Sequence, residues 1–264
     1  MDIQPKTVLE ESLEARARIE DGLYVTYDLD EVAVERLKRN IIKDLKNKGR
    51  PDMYVAALHH ELAYLLGLQG RKGVDAQLDL AHERGMDRVA IDISRSHIAQ
   101  MNGRISASRS IVEGLAQMDD LPESARPLLL AHFGQVGMLE EMMKYATPTH
   151  DLTRESVAAG ILQRLGISDV ELTKRLDTAC RVIRANANHP ILGQKVFAME
   201  GEGILYRYIV KASIDELLTI NDKVLDALIE EHDGPLDQEL SICVVPWSAD
   251  EKHNREVAYH VSLN

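Results

Sequence analysis

The sequence predicts a mostly α-helical protein of stacked antiparallel helix pairs, closed by a small α+β unit of β-α-β-β order. Three observations carry this. Gly70, Gly103 and Gly137 each end a run of helical character and stand 33 and 34 residues apart. Such a period marks an array of helical hairpins, in which no pair can bury its apolar faces without a neighbour. Beyond residue 203 the pattern changes period: Ile204, Tyr206, Tyr208 and Val210 alternate with Leu205, Arg207, Ile209 and Lys211, as in a strand. Residues 240–245, Leu-Ser-Ile-Cys-Val-Val, are nearly all apolar, which suits a strand covered on both faces or central in its sheet.

In chain order, residues 8–19 read as a short charged helix. Segment 22–29, Gly-Leu-Tyr-Val-Thr-Tyr-Asp-Leu, has the aromatic and β-branched character of a strand. Asp30 is placed to cap a helix reaching about residue 46, with Val34, Leu37, Ile41 and Leu45 on one stripe. Gly49-Arg50-Pro51 ends it. First helices of three hairpins follow near 52–68, 88–102 and 124–136, and second helices near 72–84, 105–118 and 138–146. Two further helices, 153–165 and 169–185, are joined by Gly166-Ile-Ser168. Ser213 and Glu216 form a capping box for a helix to about 231, whose apolar positions are Ile214, Leu217, Leu218, Val224, Leu225, Leu228 and Ile229. Residues 256–263 alternate again, and the preceding loop permits an antiparallel return. A lone strand at 22–29 leaves backbone donors and acceptors without partners, so it is expected to pair with the C-terminal sheet. The expected division is 1–50, 51–190 and 191–264.

Four residues before the glycines stand Leu66, Ala99 and Phe133, and seven before stand Ala63, Ser96 and Leu130. In layout and period, residues 52–146 resemble the tetratricopeptide-repeat family. That family prefers a small residue seven before the glycine, as at Ala63 and Ser96 but not Leu130. It prefers alanine five after, where this chain has Asp75, Ser108 and Met142, and a closing proline, where it has Asp87, Asp120 and Arg154. The resemblance implies a helical-repeat surface that presents itself to a protein or peptide.

At 264 residues the chain can bury roughly 75% of its unfolded surface. Its net charge of −12 disfavours bulk binding to a phosphate backbone. Residues 201–264 carry −8 of that, whereas 151–200 carry +1. Cys180 and Cys243, in an apolar helix and an apolar strand, read as buried free thiols. The first residues have no apolar signal core, and no apolar run approaches the ~20 residues of a membrane helix, so a cytoplasmic protein without membrane partners is expected.

Arg71 and Arg104 occupy the same place just after a repeat glycine, and a recurrent arginine on one side of the array is suited to an acidic partner. His97 and His132 fall on the first helices of the second and third hairpins, consistent with a row of histidines on one face. His59-His60-Glu61 resembles a metal motif, but adjacent helical residues point about 100° apart. Asp79-x-x-His82 has no second copy of the kind a dimetal site uses, so neither metal nor other cofactor is expected. Residues 165–176 resemble the turn and second helix of a helix-turn-helix DNA reader: Gly166 permits the turn, Ser168 caps, Leu172 and Leu176 pack inward, and Lys174 and Arg175 face phosphate. Gly201-Glu-Gly203 precedes a strand, whereas a phosphate loop feeds a helix N-terminus. No nucleophile-elbow or Cys-x-x-Cys motif is present, and Glu140-Glu141 and Glu230-Glu231 read as solvated faces.

The favoured functional reading is a non-enzymatic adaptor or regulator that binds a protein or peptide on a concave helical-repeat surface. The second is a DNA-binding regulator using 153–184, and the third a metal enzyme built on the helix histidines.

Overall fold

The computed structural model describes residues 7–147, 152–232 and 239–250, and the backbone of 259–262. Its first helix departs from expectation. α1 runs Val8–Thr26, taking in most of the segment expected to be a strand, and Tyr27 closes it in the left-handed region at φ 55, donating its N–H to the Leu23 carbonyl at 2.7 Å. The reason is the period of burial. Ile19, Leu23, Tyr24 and Tyr27 are buried, a helical spacing, while Val25 is 56% exposed. Propensity for strand is weak beside an apolar face that fits a 3.6-residue repeat. Thr7 and Glu10 fix the start as a capping box.

α2 (Glu31–Leu45) begins where Asp30 accepts from the Ala33 N–H at 2.9 Å. Three hairpins follow as α3 (Asp52–Leu68) with α4 (Val74–Glu83), α5 (Arg88–Met101) with α6 (Ile105–Ala116), and α7 (Arg126–Gln135) with α8 (Leu139–Tyr145), a 3-10 turn at Glu123–Ala125 leading into α7. The first helices stack in series, α3 on α5 and α5 on α7. Each repeat glycine is left-handed, at φ 63, 71 and 76 for Gly70, Gly103 and Gly137. The same pair of bonds closes all three first helices: Arg71 to Leu66, Arg104 to Ala99 and Met138 to Phe133, each N–H to carbonyl at 2.9 Å, with the glycine N–H bonded to the carbonyl three residues before it. The 33–34-residue period is therefore a period of helix C-caps.

α9 (Thr153–Leu165) and α10 (Asp169–Asn186) meet at Gly166, φ 70, and Ser168 caps α10 by accepting from the Glu171 N–H at 3.2 Å. The C-terminal unit is β-β-α-β-β rather than β-α-β-β. β1 (Gln194–Met199) was not anticipated; Phe197 and Met199 on its half-exposed face obscure the polar–apolar alternation. β2 (Gly203–Val210) pairs antiparallel with β1, α11 (Ile214–Glu231) crosses over, and β3 (Leu240–Pro246) lies parallel to β2. The order β3-β2-β1-β4 puts β3 at an edge, not at the centre. β4 (Tyr259–Ser262) runs parallel to β1 on the far side and does not return antiparallel to β3. β3 is apolar because Leu240, Ile242 and Val244 join the core, and the Asn221 amide covers its margin, accepting from the Val244 N–H at 2.8 Å and donating to its carbonyl at 3.2 Å. Of the apolar positions on α11, Leu217, Val224 and Leu228 are buried, whereas Ile214, Leu218, Leu225 and Ile229 face outward.

The core crosses the expected boundaries at 50 and 190. One cluster joins α5–α10 to the sheet and α11; the other joins α1–α5 to Leu192 and Ile209. Segment 22–29 does reach the C-terminal unit, by a side chain rather than by strand pairing. The Tyr27 ring stands edge-on to His189 at 4.9 Å and 6.4 Å from Trp247, while Lys211 donates to the Thr26 carbonyl at 2.9 Å and pairs with Asp28. No described helix is long and apolar enough to cross a membrane.

Candidate functional site: a basic cleft at the hairpin tips

The three hairpin turns lie along one helix, α10. A Cβ built on Gly137 would stand 2.9 Å from both Leu172 and Leu176, one on Gly103 2.6 Å from the Cys180 carbonyl oxygen, and one on Gly70 2.8 Å from Arg184 Nη2. All three positions favour glycine for their positive φ, and Gly103, which meets the backbone of α10, requires it for the close approach as well. α10 also attends to the second helices. Asp169 accepts from the N–H groups of Glu140 and Glu141 at 3.2 Å, at the start of α8, and Asp177 accepts from the Ser106 N–H at 2.7 Å, at the start of α6. Carboxylates at helix N-termini satisfy open N–H groups and oppose the helix dipole.

At α4 the arrangement changes. Its N-cap is Gly73, φ 100, with no side-chain cap, and α10 offers Arg184 there instead of an acid. The result is a cleft of about 470 Å³ lined by Arg71, Lys72, Arg104 and Arg184 with the first turn of α4. The positive charge is poorly neutralised from within. Arg71 stands 3.3 Å from Glu35, which also pairs with Lys38 at 2.9 Å, and the carboxylate lining the cleft, Asp75, is engaged by Arg95 at 3.2 Å. Lys72 and Arg104 are exposed and have no ion-pair partner among the described residues. Arg184 Nε is buried without a hydrogen bond, its Nη1 reaches the Ala187 carbonyl at 3.4 Å, and burial lowers its pKa from the ordinary value.

Thus Arg71 and Arg104, 33 residues apart, come together in one cavity. Lys72 and Arg184 were missed as members. Lys72 adjoins Arg71 and was open to inference, whereas Arg184 carries no local signal, since its place depends on how α10 crosses the hairpins.

His97 and His132 also come together, in the interior. Arg16 lies over the Tyr64 ring at 4.7 Å, Tyr64 stacks on His97 at 5.9 Å, and His97 faces His132 at 6.3 Å. His132 Nδ1 is 2.7 Å from Ser96 Oγ, which is 2.8 Å from Ser108 Oγ. Burial, then the neighbouring His97, pushes the His132 pKa down to about 3, so the ring is neutral at physiological pH. His97 lines a small cavity of about 40 Å³ shared with Gln100, Gln194 and Tyr208. The inner face of the first helices is therefore covered by α1 and by residues 191–194. His59 and His60 bond Gln77 and Ser94, each at 2.8 Å, and no group of three metal-ligating side chains occurs among the described residues.

In the α9–α10 pair, Leu172 and Leu176 pack inward as expected, but Arg175 is 6% exposed and holds Glu171 at 3.0 Å. Asp169 is engaged with α8, whereas Ser168 and Val170 on either side of it are exposed. Lys174 alone of the two basic residues faces outward. Cys180 and Cys243 are free thiols, and burial pushes Cys180 up to about 12. Comparison of the chain with known protein families, curated proteins and solved structures finds no match.

Proposed function

We propose that this protein is a non-enzymatic adaptor, with a tetratricopeptide-like hairpin array, that binds an acidic segment of a protein or peptide partner across the hairpin tips. One observation carries the reading: Arg71, Lys72, Arg104 and Arg184 line a single open cleft, largely without acidic counter-charge, in a chain of net charge −12. Such a patch is where an acidic ligand is drawn and oriented, because the rest of the surface repels it. The binding surface moves from the inner face of the first helices, which α1 and residues 191–194 cover, to the turns. DNA is disfavoured because a duplex meets the full negative field while the cleft offers a short, local basic footprint.

The test is fluorescence anisotropy with a labelled Glu/Asp-rich peptide and a neutral peptide of equal length. The acidic peptide should bind saturably, with affinity falling as salt rises, and Arg71→Gln with Arg104→Gln should weaken it about tenfold or more. Equal binding of both peptides, or no effect of the double substitution, would overturn the reading.

A further inference from the structure

We infer that the group seated in this cleft is a phosphate monoester. The source of that group rests on the adaptor reading, in which the partner's segment carries it; the chemistry of the subsite does not.

Arg184 is the most enclosed of the four cations that line the cleft. It is half-buried, and a guanidinium partly withdrawn from water is stabilised by an anion or by acceptors at its buried edge. Arg184 has neither: Nε is buried and unbonded, and Nη1 has one long bond to a carbonyl. Arg104 and Lys72 approach from two different hairpin turns, and neither has an ion-pair partner among the described residues. Three cationic groups thus converge from α10 and two turns on one space.

The other two hairpins indicate what fills it. α10 supplies Asp169 to the start of α8 and, eight residues later, Asp177 to the start of α6. Eight residues further stands Ala185, which has no carboxylate to give to α4. The first turn of α4, opened by Gly73, lines the cleft with no side-chain cap, beside the guanidinium of Arg184. An external oxyanion takes the place that Asp177 and Asp169 hold at the other two hairpins, with Arg184 supplying the balancing charge those sites do not need. A carboxylate brings one negative charge and two oxygens. A phosphate monoester brings nearly two charges and three terminal oxygens, which suits cations arriving from three directions together with backbone N–H groups.

The experiment uses the full chain, isothermal titration and four ligands at constant ionic strength: inorganic phosphate, chloride, an acidic peptide with one phosphoserine, and the same peptide with serine. Inorganic phosphate should bind saturably where chloride does not, and Arg104→Gln and Lys72→Gln, both at exposed positions that leave folding intact, should each weaken it several-fold. Lys174→Gln, the same charge change elsewhere, should leave it unaltered. Arg184→Gln should abolish phosphate binding where its circular dichroism matches the parent. Absence of saturable phosphate binding, or equal affinity in the Arg104 and Lys72 variants, would overturn the inference. The peptide arms separate it from the adaptor reading. A phosphopeptide that binds at least about tenfold tighter than both inorganic phosphate and the serine peptide supports both. A phosphopeptide no tighter than inorganic phosphate leaves a site for a free phosphorylated small molecule and removes the adaptor reading. A serine peptide equal to the phosphopeptide keeps the adaptor and removes the phosphate.

Discussion

Gly103 abuts Cys180 so closely that a Cβ on the glycine would stand 2.6 Å from the cysteine's carbonyl oxygen. A turn of the second hairpin is thereby pressed on the backbone of α10, and the same helix receives the turns before and after it. Gly103→Ala must accommodate a positive φ, at about 1–2 kcal/mol, and a backbone clash, at about 1–3 kcal/mol. Gly166 has a similar φ of 70 with open space around it, so Gly166→Ala should cost about 1–2 kcal/mol only. Urea melts of the two variants should differ; equal losses would mean that the approach of Gly103 to α10 is not tight.

Phe133 is buried where α7 meets the shared core and stands edge-on to Tyr145 at 5.4 Å. Phe133→Ala should leave a cavity costing about 3–5 kcal/mol. A loss below about 1 kcal/mol in urea would place Phe133 outside an inter-helix core.

His132 makes stability depend on pH. Its pKa is about 3 in the folded chain, from burial and then His97, and near 6.5 when unfolded. Between these values the unfolded chain binds the extra proton, so stability is full above about pH 6.5 and declines as pH falls toward 3, by about 1.4 kcal/mol per pH unit from this residue. His132→Gln should remove that component. A His132 imidazole resonance, assigned by its loss in His132→Gln, that titrates near 6.5 in the folded protein would disprove it.

The left-handed cap at Tyr27 gives opposite expectations for two neighbours. Val25 is 56% exposed, so Val25→Asp should change stability by no more than about 0.5 kcal/mol. A strand pairing with the C-terminal sheet would have made the same substitution severe. Tyr27→Ala should instead cost about 3–5 kcal/mol and lower amide protection at Ile209 and Lys211, next to which Tyr27 and Asp28 dock. Protection unchanged at those amides would mean that the C-terminal unit does not depend on α1.

Features governed by neighbours in the chain were legible. The glycine period located all three left-handed C-caps, the Asp30, Ser168 and Ser213 caps were read from residue type and spacing, and the recurrence of Arg71 and Arg104 named half of the cleft. Each depends on interactions within a few residues, and so leaves a pattern in a short window of sequence. The face on which the histidines lie, the helical state of 22–26, the existence of β1 and the edge position of β3 did not follow in that way. The 22–26 segment is helical because Leu23 and Tyr24 meet a core assembled from α2, α3, Leu192 and Ile209. β3 sits at an edge because α11 carries the chain back parallel to β2. Arg184 belongs to the cleft because α10 lies across turns that are 81 to 114 residues earlier in the chain. By itself, therefore, the sequence determined the hairpins, their caps and a recurrent arginine. Tertiary structure alone decided that four cations share one cavity, because long-range packing selects among local alternatives that differ by little in free energy.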